Sequence, residues 1–343
     1  MAQTEEITFR EVIDALLNVD VPFHPRYLYR LSDLNNEEVK MLEEVWQQVP
    51  VWRRQALLQD VEAMGERDMV LSFEALARFS LRDSEPGVRL PAIRALWDFE
   101  EPDLIDTFIE ILENDQDVDV RAAAATALGK YVYLGEIEEI PVETLRRVEA
   151  ALIVAHTGTS PEIVRRRALE ALGFSGREDI QDLIEKAYNS GKRDWVASAL
   201  YAMGRSFNER WIPLVMKQLD SDHPTVRAEA ARAAGELEVT EALPALLEML
   251  DDPDEEVRMA CIWSLSQIGG EGVRQRLEQL YEEAEDEEEA EFIDSALDNL
   301  SFTEDMELFA LFDFPEAGEV EDAGFDEDEL LDMIDEEGEE YQD

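Results

Sequence analysis

VRAEAARAAGELEVTEALPALLEML, residues 226–250, contains the unit from which most of this chain is built. Val226, Ala230, Ala233 and Ala234 recur at the spacing of one helical face, and Pro224 supplies a fixed φ near the first helical position. Gly235 reads as the stop of that helix, because a terminating residue in the left-handed region favours glycine. A second helix follows as TEALPALLEML, with Leu243, Leu246, Leu247 and Leu250 on one side. Pro244 falls in its first turn, where the missing N–H costs little. The stretch therefore predicts two antiparallel helices.

Its first half returns along the chain as VRLPAIRAL from Val88, VRAAAATALG from Val120, VRRRALEALG from Val164 and VRMACIWSLS from Val257. Weaker copies begin at Trp195, Trp52 and Phe292. Aligned on the residue after the first apolar one, the copies give Arg53, Arg89, Arg121, Arg165, Val196, Arg227, Arg258 and Ile293, in steps of 36, 32, 44, 31, 31, 31 and 35. A helical pattern with this period predicts an all-α solenoid, a right-handed α-α superhelix of about eight hairpins. Gly129, Gly173 and Gly204 stand where Gly235 does and carry the same expectation of a helix stop.

The 44-residue step marks an insertion, read as a loop over residues 130–141. Its Tyr131, Tyr133, Leu134 and Ile137 either form a contact loop or pack on the neighbouring repeat. Residues 1–49 read as a helical cap on the stack: Thr8 and Glu11 have capping-box spacing, and Asn36 is placed to cap a second helix. The solenoid is assigned to residues 50–314, its last helix opening at Ser301 and Glu304. From Pro315 onward 15 of 29 residues are acidic and none is basic, a composition expected to stay disordered. Phe325, Leu330, Leu331, Met333 and Ile334 lie among those carboxylates, so residues 315–343 are either a solubilising tail or a docking peptide.

Charge excludes much. The chain of 343 residues has 83 acidic against 30 basic residues, a net charge of −53, with no Lys or Arg after Arg276. Such a field repels phosphate backbones and anionic membranes. A single Cys261, at a small-residue position of the repeat, rules out an internal disulfide. No apolar leader or membrane-length run is present, so a cytoplasmic protein, monomeric outside its complexes, is expected. His24, His156 and His223 are the only histidines and have no metal-ligand spacing. The sequence offers no phosphate-cradling glycine loop, no EF-hand and no nucleophile elbow. The expectation is therefore no catalytic residue, no cofactor and no metal; His223 is read as a helix cap.

The pattern D-P-x-x-V-R-x-x-A-x-x-A-L-G resembles the HEAT repeat, most of all the short bacterial kind called the phycobilisome-lyase HEAT-like repeat. It is carried by DPDEEVR at Asp252, DHPTVR at Asp222, SPEIVR at Ser160 and DSEPGVR at Asp83. The resemblance implies that the Val packs inside while the Arg and a nearby Asp join successive repeats. By that analogy Arg89, Arg121, Arg165, Arg227 and Arg258 form a structural ladder, the alternative being a basic stripe facing a partner. The His-Glu pairs of the di-iron HEAT enzymes, the deoxyhypusine hydroxylases, are absent. Three functions remain in view. One is a non-catalytic protein–protein scaffold whose groove, lined by the second helices with Glu110, Glu113, Asp182, Glu185, Lys217 and Glu248, meets a partner with a basic surface. Another is an autoinhibited adaptor or polyanion mimic, its tail lying near Arg146, Arg147, Lys186, Arg205 and Lys217. The third, implied only by the repeat's name, is a bilin lyase-type enzyme subunit.

Overall fold

The computed structural model describes residues 7–68, 70–284 and 286–311, with the side chains of all of these except Glu66 and residues 304–311. Its elements are helices, and no strand occurs among the described residues. The cap holds α1 (Phe9–Leu17) and α2 (Asn36–Val45). First helices, which carry the repeat phrase, then alternate with second helices: α3 (Val51–Arg67) with α4 (Glu74–Ser80), α5 (Pro86–Arg94) with α6 (Leu104–Asn114), and α7 (Val118–Glu136) with α8 (Val142–Thr157). Next come α9 (Glu162–Ala171) with α10 (Glu178–Tyr188), α11 (Arg193–Arg205) with α12 (Ile212–Gln218), and α13 (Pro224–Glu236) with α14 (Leu243–Met249). The last are α15 (Glu255–Ile268) with α16 (Val273–Glu283), and α17 (Glu287–Leu311).

One apolar core runs the length of the stack. Val88, Val120, Val164, Val226 and Val257 are all buried, as the repeat phrase requires. Around them the second helices contribute Leu104, Phe108, Ile180, Val215, Leu246 and Leu277. No single repeat could bury this surface alone; each shields its neighbour. The cap closes the amino end: Thr8 and Glu11 form the expected capping box, and Leu16, Leu31 and Leu42 are buried. The cap of α2 is Asn35, paired with Glu38, one residue earlier than the sequence suggested.

The repeat glycines have a different task from the one expected. Gly129 lies inside α7, and Gly204 and Gly235 precede the ends of α11 and α13. A Cβ on Gly129 would come within 3.1 Å of Ala171 Cα, one on Gly173 within 2.8 Å of Ala202 Cα, one on Gly204 within 3.0 Å of Ala233 Cα, and one on Gly235 within 2.8 Å of Ser264 Cα. Glycine is there so that the backbones of successive first helices can touch. The left-handed turn residues are instead Glu138, Phe207 and Glu238, each three places beyond a glycine.

This contact sets the curvature. First helices α7, α9, α11, α13 and α15 pack directly on one another, whereas second helices meet one another closely only where α6 touches α8. The second helices pack mainly on the first helix that follows them, α10 on α11, α12 on α13 and α14 on α15. The close pair is therefore α12 with α13 and not the expected α13 with α14. Rows spaced tightly on one side and loosely on the other bend the stack toward the tight side. The first helices therefore line the inner face, and Glu110, Glu113, Asp182, Glu185, Lys217 and Glu248 belong to the outer row. Two other expectations are corrected. Residues 130–136 are no loop but the last turns of α7, which meets an equally extended α8, so the insertion lengthens a hairpin instead of projecting from it. Ser301 opens no helix: it lies within α17 and its hydroxyl donates to Leu297 O at 2.9 Å, the back-bonding of a helix-interior serine.

Candidate partner-binding face

The arginine after each buried Val leaves the first helix near its amino end and reaches toward the next hairpin. Arg89 grips both oxygens of Asp115, at 2.7 and 2.8 Å, and donates to Asp83 O at 2.8 Å. Arg227 does the same with Asp252, at 2.8 and 2.9 Å, and with Ser221 O at 2.8 Å. Arg258 donates to Asp252 O at 3.0 Å. Arg121 reaches Ser160 Oγ at 3.0 Å and Leu112 O at 2.8 Å. Such two-pronged guanidinium–carboxylate pairs fix orientation as well as adding energy. Arg165 shares the Nε bond of Arg121, donating to His156 O at 2.8 Å, but its guanidinium lies 5.4 Å from the centre of the Trp195 ring.

The earliest copy is modified for the cap. Arg53 donates to Ala15 O, Leu16 O, Asn18 O and Val21 O, between 2.6 and 3.2 Å, satisfying carbonyls left over at the end of α1. Its neighbour Arg54 takes over the ladder and meets Asp83 at 2.9 Å, both side chains buried. Asp83 also accepts from the Trp46 indole N–H at 2.5 Å.

Positions two, five and eight or nine places after the ladder residue face the inner surface. There Arg94, Trp97, Arg167, Tyr201 and Arg205 border a cavity of about 420 Å³ spanning α5, α7, α9 and α11. Its floor is apolar, with Leu90, Ile93 and Ile163. Arg205 lies over the Tyr201 ring at 4.2 Å and the Phe174 ring at 4.9 Å and forms no ion pair among the described residues. Arg167 is tied to Glu170 at 2.5 Å, and Ser198 Oγ donates to the other Glu170 oxygen at 2.6 Å. Farther along, Trp263 and Phe292 flank a second hollow between α13, α15 and α17.

Charge is unevenly divided between the two rows. On the inner row, α5 carries Arg89 and Arg94 and no acid, and α9 carries three arginines against two glutamates. On the outer row, α6 carries three acids and no base, and α10 carries four acids against Lys186. Between α5 and α10 a mildly basic inner row thus stands against an acidic outer one. At its α13 end two arginines meet two glutamates. Burial pushes the Glu229 carboxyl up to about 7, Arg232 at 2.9 Å opposing the rise and Glu170, Glu256 and Glu236 adding to it. Burial raises Glu236 as well, and the Tyr201 phenol.

The residues expected to bind a partner separate sharply. Tyr131 and Leu134 are 1% and 5% exposed and belong to the core, where Tyr131 donates to Glu101 O at 3.2 Å. Tyr133 and Ile137, 39% and 47% exposed, reach the surface, Tyr133 packing at 5.2 Å from Phe174. Phe325, Leu330, Leu331, Met333 and Ile334 lie outside the described residues. The sequence points to Arg205 as a groove residue that the acidic tail would meet, but to neither Trp97 nor Tyr201. Their signal is in the repeat: Tyr201 and Arg205 lie five and nine places after Val196 and Trp97 eight after Arg89, the spacing of one helical face.

Nothing described here gathers catalytic groups. His24 Nδ1 accepts from Arg26 N–H at 3.2 Å; His223 holds the cap position of α13 but its side chain makes no capping bond. His156 donates from Nδ1 to Arg165 O at 2.9 Å, and burial holds it below the usual histidine range. Cys261 is buried, its thiol pushed up to about 12 by burial. Among the described residues no group of three or more His, Cys, Asp or Glu side chains could hold a metal ion, and no helix is long and apolar enough to cross a membrane.

A sequence profile of the HEAT repeats matches residues 73–147 and 212–295. No curated protein sequence matches the chain. Among solved structures it is similar to the complex of CpcE and CpcF of phycocyanin lyase from Nostoc sp., at 21% identity and a TM-score of 0.44, over 66% of this chain and 94% of that one. It is also similar to human deoxyhypusine hydroxylase in complex with glycerol, at 21% identity and a TM-score of 0.34, over 76% and 95% of the two chains. A third likeness is to importin beta, at 12% identity and a TM-score of 0.40, over 85% of this chain and 46% of that one.

Proposed function

We propose that this chain, a HEAT-repeat protein, is a non-catalytic scaffold that seats a segment of a protein partner along its inner face. HEAT solenoids are typically protein-interaction scaffolds, their surface being a long continuous concavity. The observation that carries the reading is the cavity of about 420 Å³ beside Trp97, Tyr201 and Arg205. Exposed aromatic and guanidinium groups over an apolar floor are the composition of a binding hot spot. A solvated helix surface needs neither Trp97 nor an arginine stacked on two rings.

The test compares rows. Partner capture by the full chain from its native host should fail for Trp97→Ala with Arg205→Ser, and survive Glu110→Ser with Glu113→Ser on the outer row. The reverse outcome would place binding on the second helices and remove the inner groove from the proposal. Residues 133 and 137 offer a flank to the same surface, since Tyr133 adjoins Phe174 and Phe174 adjoins Arg205.

A second reading, a polyanion mimic acting on a basic or nucleic-acid-binding protein, is favoured by the acidic outer row and the base-free sequence after Arg276. Under it, a basic partner engages the exterior and the acidic end, and its on-rate falls steeply with salt. Loss of that salt dependence in a chain ending at residue 314 would support it, and an unchanged on-rate would count against it.

A further inference from the structure

The ladder can be followed rung by rung through its acceptors. Asp83 Oδ1 accepts from Glu85 N–H, Asp115 Oδ1 from Asp117 N–H and Asp252 Oδ1 from Asp254 N–H, each at 2.9 Å. Every one of these turns places an aspartate in front of the arginine of the preceding hairpin: Arg54, Arg89 and Arg227. Ser190 builds the same turn, its Oγ accepting from Lys192 N–H at 3.3 Å. Ser190 is therefore the rung partner due to Arg165, and it brings no carboxylate.

What surrounds the vacant position is cationic. A cavity of about 280 Å³ lies there, bordered by Arg165, Lys186, Lys192, His156 and Trp195, with no acidic residue in its wall. Lys186 and Lys192 form no ion pair among the described residues, and Arg165 spends only Nε, on His156 O. In a chain with net charge −53 a pocket of three cations without one carboxylate is a departure that packing does not require. Arg89 and Arg227 hold their aspartates through Nε and one Nη; at Arg165, with Nε spent, the two Nη groups are left to receive two oxygens end-on.

We propose that this open rung is a binding pocket for a carboxylate supplied by an acidic peptide segment. The incoming carboxylate supplies the charge that Asp115 and Asp252 bring to their own rungs, bridging the two Nη nitrogens of Arg165, with Lys186, Lys192 and the Trp195 ring in the same pocket wall. The segment comes either from residues 315–343 of this chain or from a partner; both offer the same chemistry. A tethered tail acts at an effective concentration in the millimolar range, enough to fill a weak single-carboxylate site. His156, held neutral by burial and by the nearby charges of Arg165 and Lys186, adds no fourth charge. The pocket lies at the helix-end edge, and the proposal does not depend on the inner groove.

The test uses the full chain and reads the Trp195 indole N–H by NMR. A synthetic peptide of residues 319–343 should shift that signal saturably if the pocket stands open. If the chain's own end fills it, the signal should instead move when Asp326, Glu327, Asp328 and Glu329 are replaced by their amides, and the peptide should then restore it. Ser190→Asp closes the rung from within: it should weaken the peptide response at least ten-fold and raise the melting temperature, which separates repair from unfolding. A Trp195 signal indifferent to both peptide and neutralisation, an undiminished response in Ser190→Asp, or a response to inorganic phosphate with none to the peptide would overturn the assignment. Trp97→Ala with Arg205→Ser should leave the Trp195 response intact, so failure of the scaffold reading and failure of this one remain distinct.

Discussion

The two ends of the array and its middle solve the same joining problem differently. Toward the ends Arg54–Asp83, Arg89–Asp115 and Arg227–Asp252 close three rungs with a carboxylate. In the middle Arg121 finds only Ser160, Arg165 faces Ser190, and at the next rung both members are lost together, Val196 standing for the arginine and Ser221 for the aspartate. The helix spacing does not falter there. The contacts of Gly173 with Ala202 and of Gly204 with Ala233 run through the open rungs as closely as Gly235 meets Ser264 in a closed one. Backbone contact sets the geometry of the stack, and the ladder is an added tie that can be released where another task requires it.

The largest expected effect lies in the most buried rung. Asp83→Ala would strand Arg54 with its charge and leave the Trp46 N–H unpaired, and breaking a buried pair from one side costs about 3–5 kcal/mol. Ser190→Ala at the open rung removes one solvent-side turn bond and should change stability by less than about 0.5 kcal/mol. Chemical denaturation of both variants decides it; equal losses would mean that the ladder is uniform and that the contrast between ends and middle has no energetic content.

Damage to the backbone contact should respect no such contrast. Gly173→Val would force a branched side chain to where Ala202 Cα and O now stand, 2.8 and 2.9 Å from the first added carbon, and overpacking of this kind costs about 1–3 kcal/mol. Gly235→Val, beside a closed rung, should cost a similar amount by the same melting assay. A large penalty for one with none for the other would show that the two systems of contact are coupled.

The sequence disclosed the repeat because its buried residues obey a period, and Val88, Val120, Val164, Val226 and Val257 needed no tertiary knowledge to be placed. It misassigned the glycines, because a helix stop and a close helix–helix contact both select for a missing Cβ. Only the distance from Gly173 to Ala202 tells them apart. The insertion reads as a loop because YVYLGE has no clean apolar stripe, and a helix buried on both sides, as α7 is, need show none. The inner groove was illegible for a further reason. Which row faces inward depends on the difference between two inter-helix spacings, a property of the stack that no single repeat encodes.

The α13 end of the inner face adds a pH dependence of its own. Glu229 titrates near 4.5 in the unfolded chain and near 7 when folded, so between those values the folded state holds the extra proton. Its contribution is therefore most favourable below about pH 4.5 and is lost as pH rises through 7, an effect of roughly 1–3 kcal/mol. Glu236, raised by burial, has the same sign. Glu229→Gln should flatten the fall in melting temperature between pH 5 and 8 and stabilise the protein at pH 8. A fall as steep as in the parent would assign the slope to other groups.

The smallest effect is the most discriminating, because it asks whether a rung can be rebuilt. Val196→Arg restores the arginine of the missing rung and Ser221→Asp its carboxylate, in the turn where Ser221 Oγ already accepts from His223 N–H at 3.4 Å. Each change alone should be neutral or mildly unfavourable, since Val196 is buried and a lone aspartate enters an acidic chain. Together they should recover about 0.5–1 kcal/mol beyond the sum of the singles, the coupling expected of a partly exposed ion pair with good geometry. A double-mutant cycle by denaturant melts measures that surplus directly. Its absence would mean that the middle of the stack no longer presents the two positions to each other, and that loss of the tie there has been followed by a change of backbone.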